Sequence, residues 1–462
     1  MAPREKEIKV STRSVPPESI STSDESVDVQ TTDHGQGISQ QLSNRADGAG
    51  ADLDQGFRTM GLRETVSLLL TNQVGLGVLS LPSVLKTLGL FPGTLAIVGL
   101  GGLSWYTAFE LKLFYDRHPH VLNVADMARV VGGRGFECVV ACGMILLVIM
   151  TAASAVVTFS VALKLLSSEA LSSVVFIALG CICCWVLCIP RTARFVSRSG
   201  IASCLSILTA TVVVMVSLGT QRPADAPAEW RRQPVWFAAP SFRDGLNACL
   251  KICYAFSGNV SFPSYMAEMR NPKRDFKAAL LWLEVTSMAF YSIVAVCVYC
   301  LACEYTTSPA LGSASPRSAH IAYGLVIPSV LSKGLAFGQT GIKYVYLKVM
   351  RRFSIQHEMA THTTRSWSIW LGLVTLFWIA TFGLSVAIPD FDSILSMTSA
   401  VTISWFTFGL SAIFWLHMSW STKFATWRQV CLTALNVCLI FSALFLNAAG
   451  LWSSSAELRS KH

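Results

Sequence analysis

The chain has 462 residues, of which 52% are hydrophobic and 14% charged, and its formal net charge is +9. A soluble globular domain usually has about a quarter of its residues charged, so this composition excludes an ordinary soluble protein. The basic residues lie in short segments between long apolar runs, which argues against a nucleic-acid partner and indicates a membrane protein oriented by its loops.

The N-terminal segment, residues 1–57, is polar and rich in Ser, Thr, Asp and Gln. It has too little apolar surface to form a core, so we expect a disordered cytosolic tail. It contains no apolar stretch of the signal-peptide type, so the first span is expected to direct membrane insertion itself. Residues 58–452 are expected to form one transmembrane domain, and residues 453–462 a short C-terminal tail.

Eleven apolar runs follow the tail, separated by short polar connectors. About 20 apolar residues cross the hydrocarbon core as a helix, and a helix satisfies its own backbone hydrogen bonds in lipid. The sequence therefore predicts an all-α integral membrane protein with about eleven transmembrane helices. Their expected limits are 62–85, 92–114, 135–163, 171–190, 196–219, 245–267, 278–302, 319–346, 367–388, 393–416 and 427–451.

The distribution of Lys and Arg orients these spans, because cytoplasmic loops carry an excess of positive charge. With a cytosolic N-terminus, the inner loops contain most of these residues, including the clusters at 191–198 and 270–277. More than half of the Lys and Arg residues in the outer loops lie in the single long loop 220–243. An odd number of spans then places the C-terminus outside.

This orientation predicts which positions a membrane-impermeant thiol reagent reaches from outside the cell. A cysteine placed in loop 220–243 or at Ser460 is expected to react in intact cells, and one placed at Arg191 only after permeabilisation. The parent chain, with its 14 native cysteines, supplies the background. Equal labelling at all three positions would overturn the orientation.

The sequence offers no metal or catalytic motif. Cys181, Cys183, Cys184 and Cys188 lie in one predicted span and point around its helix, so we interpret them as buried apolar residues. HExxH, GxSxG and P-loop patterns are absent from the sequence. We therefore expect no metal, no cofactor and no enzymatic activity.

Two spans contain glycine and polar residues at mid-depth, where transporters bind substrate at broken helices. These spans are the first and the sixth, and spans five apart correspond to each other in inverted five-helix repeats. Half-helix N-termini bind a carboxylate, and exposed carbonyls bind an ammonium group. An amino acid is therefore the expected substrate, bound by Thr71, Asn72, Gly75, Gly77, Phe256, Ser257, Gly258 and Asn259.

An alternative interpretation is that these glycines only allow helices to pack closely, as small residues do in membranes. The matched position of the two segments favours the binding site.

Residues 75–83, followed by 87–90, resemble the first-helix signature of the amino acid/auxin permease family. Residues 255–263 with 268–272 are similar to the family's sixth-helix block, and 322–328 with 343–346 to its eighth-helix block. The chain looks most like the fungal neutral amino acid permeases. The resemblance implies eleven helices in an inverted-repeat transporter fold, ion-coupled transport of amino acids, and unwound segments at 71–77 and 256–259.

Two positions depart from the family pattern. Asn259 stands where many members carry His, which argues against a histidine-based proton relay. Lys333 stands where a small or apolar residue is expected, on a polar stripe that includes Ser329 and Thr340. The related fold commonly holds a sodium ion between helices one and eight, and an amine there would replace that ion.

Burial disfavours the charged form of an amine, so Lys333 is the expected ion-coupling residue and a proton the expected coupling ion. The alternative is a structural lysine paired with a carboxylate. Glu284 is the candidate partner of Lys333 or of Lys251.

The leading hypothesis is a secondary active transporter of neutral amino acids, coupled to protons, in the plasma membrane. A vacuolar amino acid exporter and a transporter-like nutrient receptor are the alternatives, the receptor supported only by the Ser/Thr-rich tail. A membrane-embedded enzyme would need His, Asp and Glu clustered near one face, and the sequence shows no such cluster. Uptake of labelled amino acids separates transporter from receptor.

Overall fold

The computed structural model describes residues 60–191, 193–227, 229–353 and 363–461, and the predicted tail at 1–57 lies outside this range. Within these residues, a helix occupies each of the eleven predicted spans. The helices are α1 (in two halves, Leu62–Gln73 and Leu81–Leu88), α2 (Leu90–Arg117), α3 (Val124–Leu166), α4 (Ser173–Cys188), α5 (Ala193–Thr220), α6 (in two halves, Phe242–Ala255 and Phe262–Glu268), α7 (Pro272–Ala302), α8 (Pro316–Arg352), α9 (Thr364–Ala387), α10 (Phe391–Met418) and α11 (Trp427–Lys461).

The outer surface of the bundle is suited to lipid. In the part of the chain that the structure describes, eight helices are long and apolar enough to cross a membrane, and α4 is apolar but shorter. Large apolar side chains such as Trp282, Ile379 and Phe441 are more than half exposed. Acyl chains cover such a surface in a membrane protein. The chain is therefore an all-α membrane protein, as predicted.

The broken helices α1 and α6 lie side by side and run in opposite directions. At one end, the Met60 N–H donates to the Glu268 carbonyl (3.1 Å) and the Arg270 N–H donates to the Met60 carbonyl (3.0 Å). At the other end, the Ala238 N–H donates to the Leu88 carbonyl (3.2 Å). This antiparallel arrangement of α1 and α6 is the one predicted for two repeats of inverted topology. Following the predicted orientation, we name the end with Met60 the inner end and the opposite end the outer end.

Most helices extend a few residues beyond their predicted limits, and two of them extend ten residues or more. α3 begins at Val124 instead of 135, because the Asn123 side chain caps it by accepting from the Asp126 N–H (3.0 Å). Gly132 and Gly133 then interrupt the helix, and Gly133 has a φ of 67°, a conformation that glycine adopts readily. The apolar run used for the prediction starts only after this interruption. α11 continues to Lys461, ten residues past the predicted end of its span.

An unexpected feature of α10 is its widened middle. Residues Ser399–Ile403 and Trp405–Gly409 are π-helical, and the second stretch packs on the break of α6. The Thr402 hydroxyl donates to a carbonyl one turn back, a contact that competes with regular helix geometry. Such π-helical turns are frequent at functional sites.

Candidate functional site

The break in α1 starts later than the resemblance implied. The first half of the helix continues through Gln73, so Thr71 and Asn72 lie in its last turn. Val74 then has extended geometry (ψ 110°), and Gly75 has a φ of −172° and a ψ of −134°. A short 3-10 helix follows at Leu76–Ser80. The expected unwinding at 71–77 is thus corrected to a segment that begins at Val74.

The break in α6 falls where it was predicted. Phe256 leaves the helix (φ −102°, ψ 35°), and Ser257–Ser261 form a 3-10 helix. In both broken helices the second half begins with a proline in its first turn, Pro82 in α1 and Pro263 in α6. Proline has no N–H to donate, and a first turn tolerates this because its N–H groups have no partner within the helix. The prolines therefore fix where each helix resumes.

The two breaks contact each other directly. The Asn72 side-chain amide donates to the Gly258 carbonyl (3.3 Å). A Cβ on Gly77 would lie only 2.5 Å from the Ala255 Cα, so the two backbones touch at this point. Asn72, Gly77 and Gly258 are thus brought together at the crossing of α1 and α6.

A tyrosine that sequence reasoning missed joins the same two helix ends. The Tyr291 hydroxyl of α7 lies 2.8 Å from the Gln73 carbonyl and 3.0 Å from the Ala255 carbonyl, the last residues of the two first halves. Its signal in the sequence is a hydroxyl-bearing ring in the middle of an apolar span, but its target carbonyls lie far away in the chain.

The other predicted residues face different neighbours. The Thr71 hydroxyl donates to the Ser67 carbonyl (2.7 Å), and its side chain packs against Gly200 of α5, away from the crossing. Asn259 donates to the Thr107 hydroxyl of α2 (3.0 Å). The Ser257 hydroxyl is buried and has no hydrogen-bond partner among the described residues. A buried polar group without a partner is uncommon, so this hydroxyl is free to bind a ligand or water.

Phe256 and Gly75, the other two predicted residues at the breaks, contact α2 and α8. The Phe256 carbonyl accepts from the Ser104 hydroxyl of α2 (3.3 Å). Gly75 faces α8, where a Cβ would lie 3.4 Å from the Lys333 side chain. The residues at the crossing are buried, including Asn72 and Asn259, so the site is closed to both ends of the bundle.

Lys333 reaches from α8 to the end of the first half of α1. Its side chain is buried, and its Nζ donates to the Asn72 carbonyl at 2.5 Å. The Nζ also lies 4.9 Å from the centre of the Phe337 ring. The carboxyl end of a helix carries partial negative charge, which attracts a cation. The amine therefore occupies a position suited to a bound cation, between α1 and α8.

The suggested pairing of Glu284 with a lysine is not observed. Glu284 accepts from the Gln73 side-chain amide at 3.4 Å. Lys333 forms no ion pair with any acidic residue that the structure describes. The partner of Lys251 is Asp392 of α10, with Nζ and Oδ2 separated by 2.9 Å. Glu284 and Asp392 are each far along the chain from the side chains that they contact. Local sequence patterns therefore do not reveal these contacts.

A cavity of about 680 Å³ lies at the outer end, above the breaks. The ion pair between Lys251 and Asp392 lies in its wall, where Lys251 also donates to the Ser83 hydroxyl (3.3 Å) and the Ser308 hydroxyl donates to Asp392 (2.5 Å). Side chains of α1, α6, α10 and the segment before α8 therefore meet over the site.

Comparison with known proteins identifies relatives that are membrane transporters. A family model described as Transmembrane amino acid transporter protein matches residues 58–456. The chain is 26% identical over 413 residues to an N amino acid transport system protein of Neurospora crassa, covering 88% of this chain and 86% of that protein. It is 25% identical over 430 residues to a transmembrane transporter of Gibberella moniliformis, covering 89% and 90%.

Among solved structures, the substrate-bound outward-open state of a Na+-coupled sialic acid symporter has a TM-score of 0.51. The similarity covers 85% of this chain and 90% of that chain, at 11% sequence identity. At this identity the likeness shows the fold alone, and it confirms the predicted transporter architecture.

Proposed function

Because the chain belongs to the transmembrane amino acid transporter protein family, as its resemblance to the amino acid/auxin permeases indicated, we propose that it carries neutral amino acids together with protons. The observation that supports this proposal best is the contact between the breaks of α1 and α6 in a closed site. Backbone amides at the start of a half-helix suit a carboxylate, and carbonyls at the end of one suit an ammonium group.

The uncharged lining supports a neutral substrate. Among the proposed binding residues, Asn72, Phe256, Ser257 and Asn259 carry amide, aromatic or hydroxyl side chains. None of these residues carries a charge, so a charged substrate side chain would find no ion-pair partner among them, and burying such a charge is costly. The unpaired Ser257 hydroxyl is the polar group most available to the substrate.

Competition for uptake tests this specificity. In cells that express the protein, unlabelled neutral amino acids are expected to reduce the uptake of a labelled neutral amino acid, whereas Asp, Glu, Lys and Arg are not. Cells with an empty vector provide the control. Equal competition by charged amino acids would contradict the neutral site, and binding without uptake would favour the nutrient receptor.

Lys333 supports the proposed coupling to protons. Its amine donates to the Asn72 carbonyl, in a place where a cation would otherwise bind, and it lacks an ion-pair partner among the described residues. A fixed cation leaves no need for sodium, and an amine, unlike a metal ion, is able to release and regain a proton. We further propose the plasma membrane as the site of uptake, which the location of a tagged chain tests against the vacuolar membrane.

The ion pair between Lys251 and Asp392 is proposed to hold the outer end closed. Asp392→Asn removes the charge partner of a mostly buried amine, and a loss of about 1 kcal/mol would increase the open population about fivefold. A cysteine at Ala248, which lines the outer cavity, is therefore expected to react about fivefold faster with a hydrophilic thiol reagent.

The native Cys249 is replaced by serine in every protein compared. Asp244→Asn is the matched control, because Asp244 lines the same cavity but accepts from the Ser241 hydroxyl beside it (2.7 Å). Unchanged labelling in the Asp392 variant would exclude a closing role for the pair.

A further inference from the structure

A groove of about 630 Å³ on the side of the bundle is not used by the proposed transport site. It lies between α2 and α7, and its walls are apolar or aromatic, with Trp105 and Phe109 on one side and Leu281 on the other. Two basic side chains, Arg274 and Lys277 in the first turns of α7, line its inner end. The groove thus combines an apolar channel with a cationic end.

The dimensions of the groove match part of one lipid leaflet. Its lining on α2 runs from Phe109 to Gly102, seven residues along the helix, or about 10 Å. One leaflet of the hydrocarbon core is about 15 Å thick. The basic end therefore lies near the membrane surface when the apolar walls lie beside the acyl chains.

The two cations are available to a ligand. Lys277 is exposed and forms no ion pair with any residue in the described ranges. Arg274 is also exposed, and its contact with Asp275 is 3.7 Å long. Water-exposed pairs of this length are weak, so Asp275 does not neutralise the site. A bare hydrocarbon chain would not use these charges, whereas a negatively charged headgroup would.

We propose that this groove binds an anionic phospholipid of the inner leaflet. Its headgroup contacts Arg274 and Lys277, and one acyl chain lies along Trp105, Phe109 and Leu281. Basic pockets between membrane helices recognise acidic headgroups in this way.

The groove is connected to the transport site through its two helices. α2 contributes Ser104 and Thr107 to the break of α6, and α7 contributes Tyr291 to the ends of both first halves. A lipid held between α2 and α7 stabilises the helices that position the breaks. Bound anionic lipid is therefore expected to raise the melting temperature of the purified protein, because it binds the folded state.

Lipid titration of the purified protein in detergent, followed by native mass spectrometry, tests how much the two basic side chains contribute to lipid binding. Phosphatidylserine is expected to bind more tightly than phosphatidylcholine. Replacing both Arg274 and Lys277 by Gln is expected to weaken phosphatidylserine binding about 25-fold, at about fivefold for each lost cation. The matched control is Lys273→Gln, since Lys273 is exposed in the same turn but does not line the groove.

Filling the groove tests the acyl chain separately. A Cβ on Gly102 meets no atom within 4 Å, so Gly102→Leu is expected to fold normally and to block binding. Gly99→Leu is the control, because Gly99 is equally open on the same helix but lies outside the groove. Equal binding of the two lipids, unchanged binding in Gly102→Leu, or full competition by soluble glycerophosphoserine would each overturn the proposal.

Discussion

Gly77→Val is expected to abolish amino acid uptake while the protein still reaches the membrane. The reason is the contact between the two breaks, where a Cβ on Gly77 would lie 2.5 Å from the Ala255 Cα and 3.1 Å from its backbone nitrogen. Atoms cannot approach so closely, and a backbone neighbour cannot rotate away as a side chain does. Overpacking of this kind costs about 1–3 kcal/mol or more. This free energy corresponds to a loss of uptake of at least fivefold to hundredfold.

A graded series distinguishes the contact between the breaks from a general effect on packing. Gly258→Val is also expected to abolish uptake. Gly258→Ala is expected to reduce uptake less than Gly77→Ala does, because a Cβ on Gly258 meets the movable end of the Gln73 side chain at 2.7 Å. Gly75→Ala is expected to be the mildest, since its nearest contact is the flexible Lys333 chain at 3.4 Å.

Labelled uptake, normalised to protein at the cell surface, measures each variant, and Gly99→Ala serves as the neutral control. Its Cβ meets no atom within 4 Å. If both valine variants take up amino acids normally, the assignment of the site to the two breaks is wrong. If Gly77→Ala and Gly75→Ala behave alike, the contact between Gly77 and Ala255 has no special role.

Lys333→Met is expected to lose pH-driven accumulation, the second large effect. The methionine side chain keeps much of the apolar stem but cannot donate to the Asn72 carbonyl or carry a proton. An inward gradient of one pH unit corresponds to about 1.4 kcal/mol per proton and supports about tenfold accumulation. The native protein is therefore expected to concentrate substrate as external pH falls, and the Met variant only to equilibrate it.

Lys333→Arg separates a structural charge from a proton carrier. The guanidinium keeps the positive charge but effectively never deprotonates. If the charge only stabilises the end of the first half of α1, Arg is expected to restore part of the uptake. If the amine carries the coupling proton, Arg is expected to be as defective as Met. Unchanged pH-driven accumulation in the Met variant would contradict the coupling role and leave the family assignment intact.

The sequence was sufficient to predict the features that depend on local composition. Apolar runs identified the spans, and the Gly and polar residues at 71–77 and 256–259 identified both breaks, because such residues at mid-depth of an apolar span are typical of broken helices. Lys333 was identified for a similar reason, since a charge within an apolar span is costly without a function. These are properties that neighbouring residues determine together.

The features that escaped prediction depend on contacts between distant segments. Asp392 pairs with Lys251, and Tyr291 joins two carbonyls of other helices, and neither contact has a local signature. Thr71 was assigned to the site by its position, but the rotation of α1 directs it toward Gly200. The π-helical stretch at Trp405–Gly409 was also missed, because hydroxyl-bearing residues in a span are equally compatible with a regular helix.

The most direct test of the proposed function uses the purified protein in sealed liposomes, without sodium. With an acidic exterior, a labelled neutral amino acid is expected to accumulate about tenfold above its external concentration for each pH unit and proton. A protonophore should collapse this accumulation, and Lys333→Met liposomes should show none. Accumulation that requires sodium, or the absence of any uptake by correctly folded protein, would contradict proton-coupled amino acid transport by this chain.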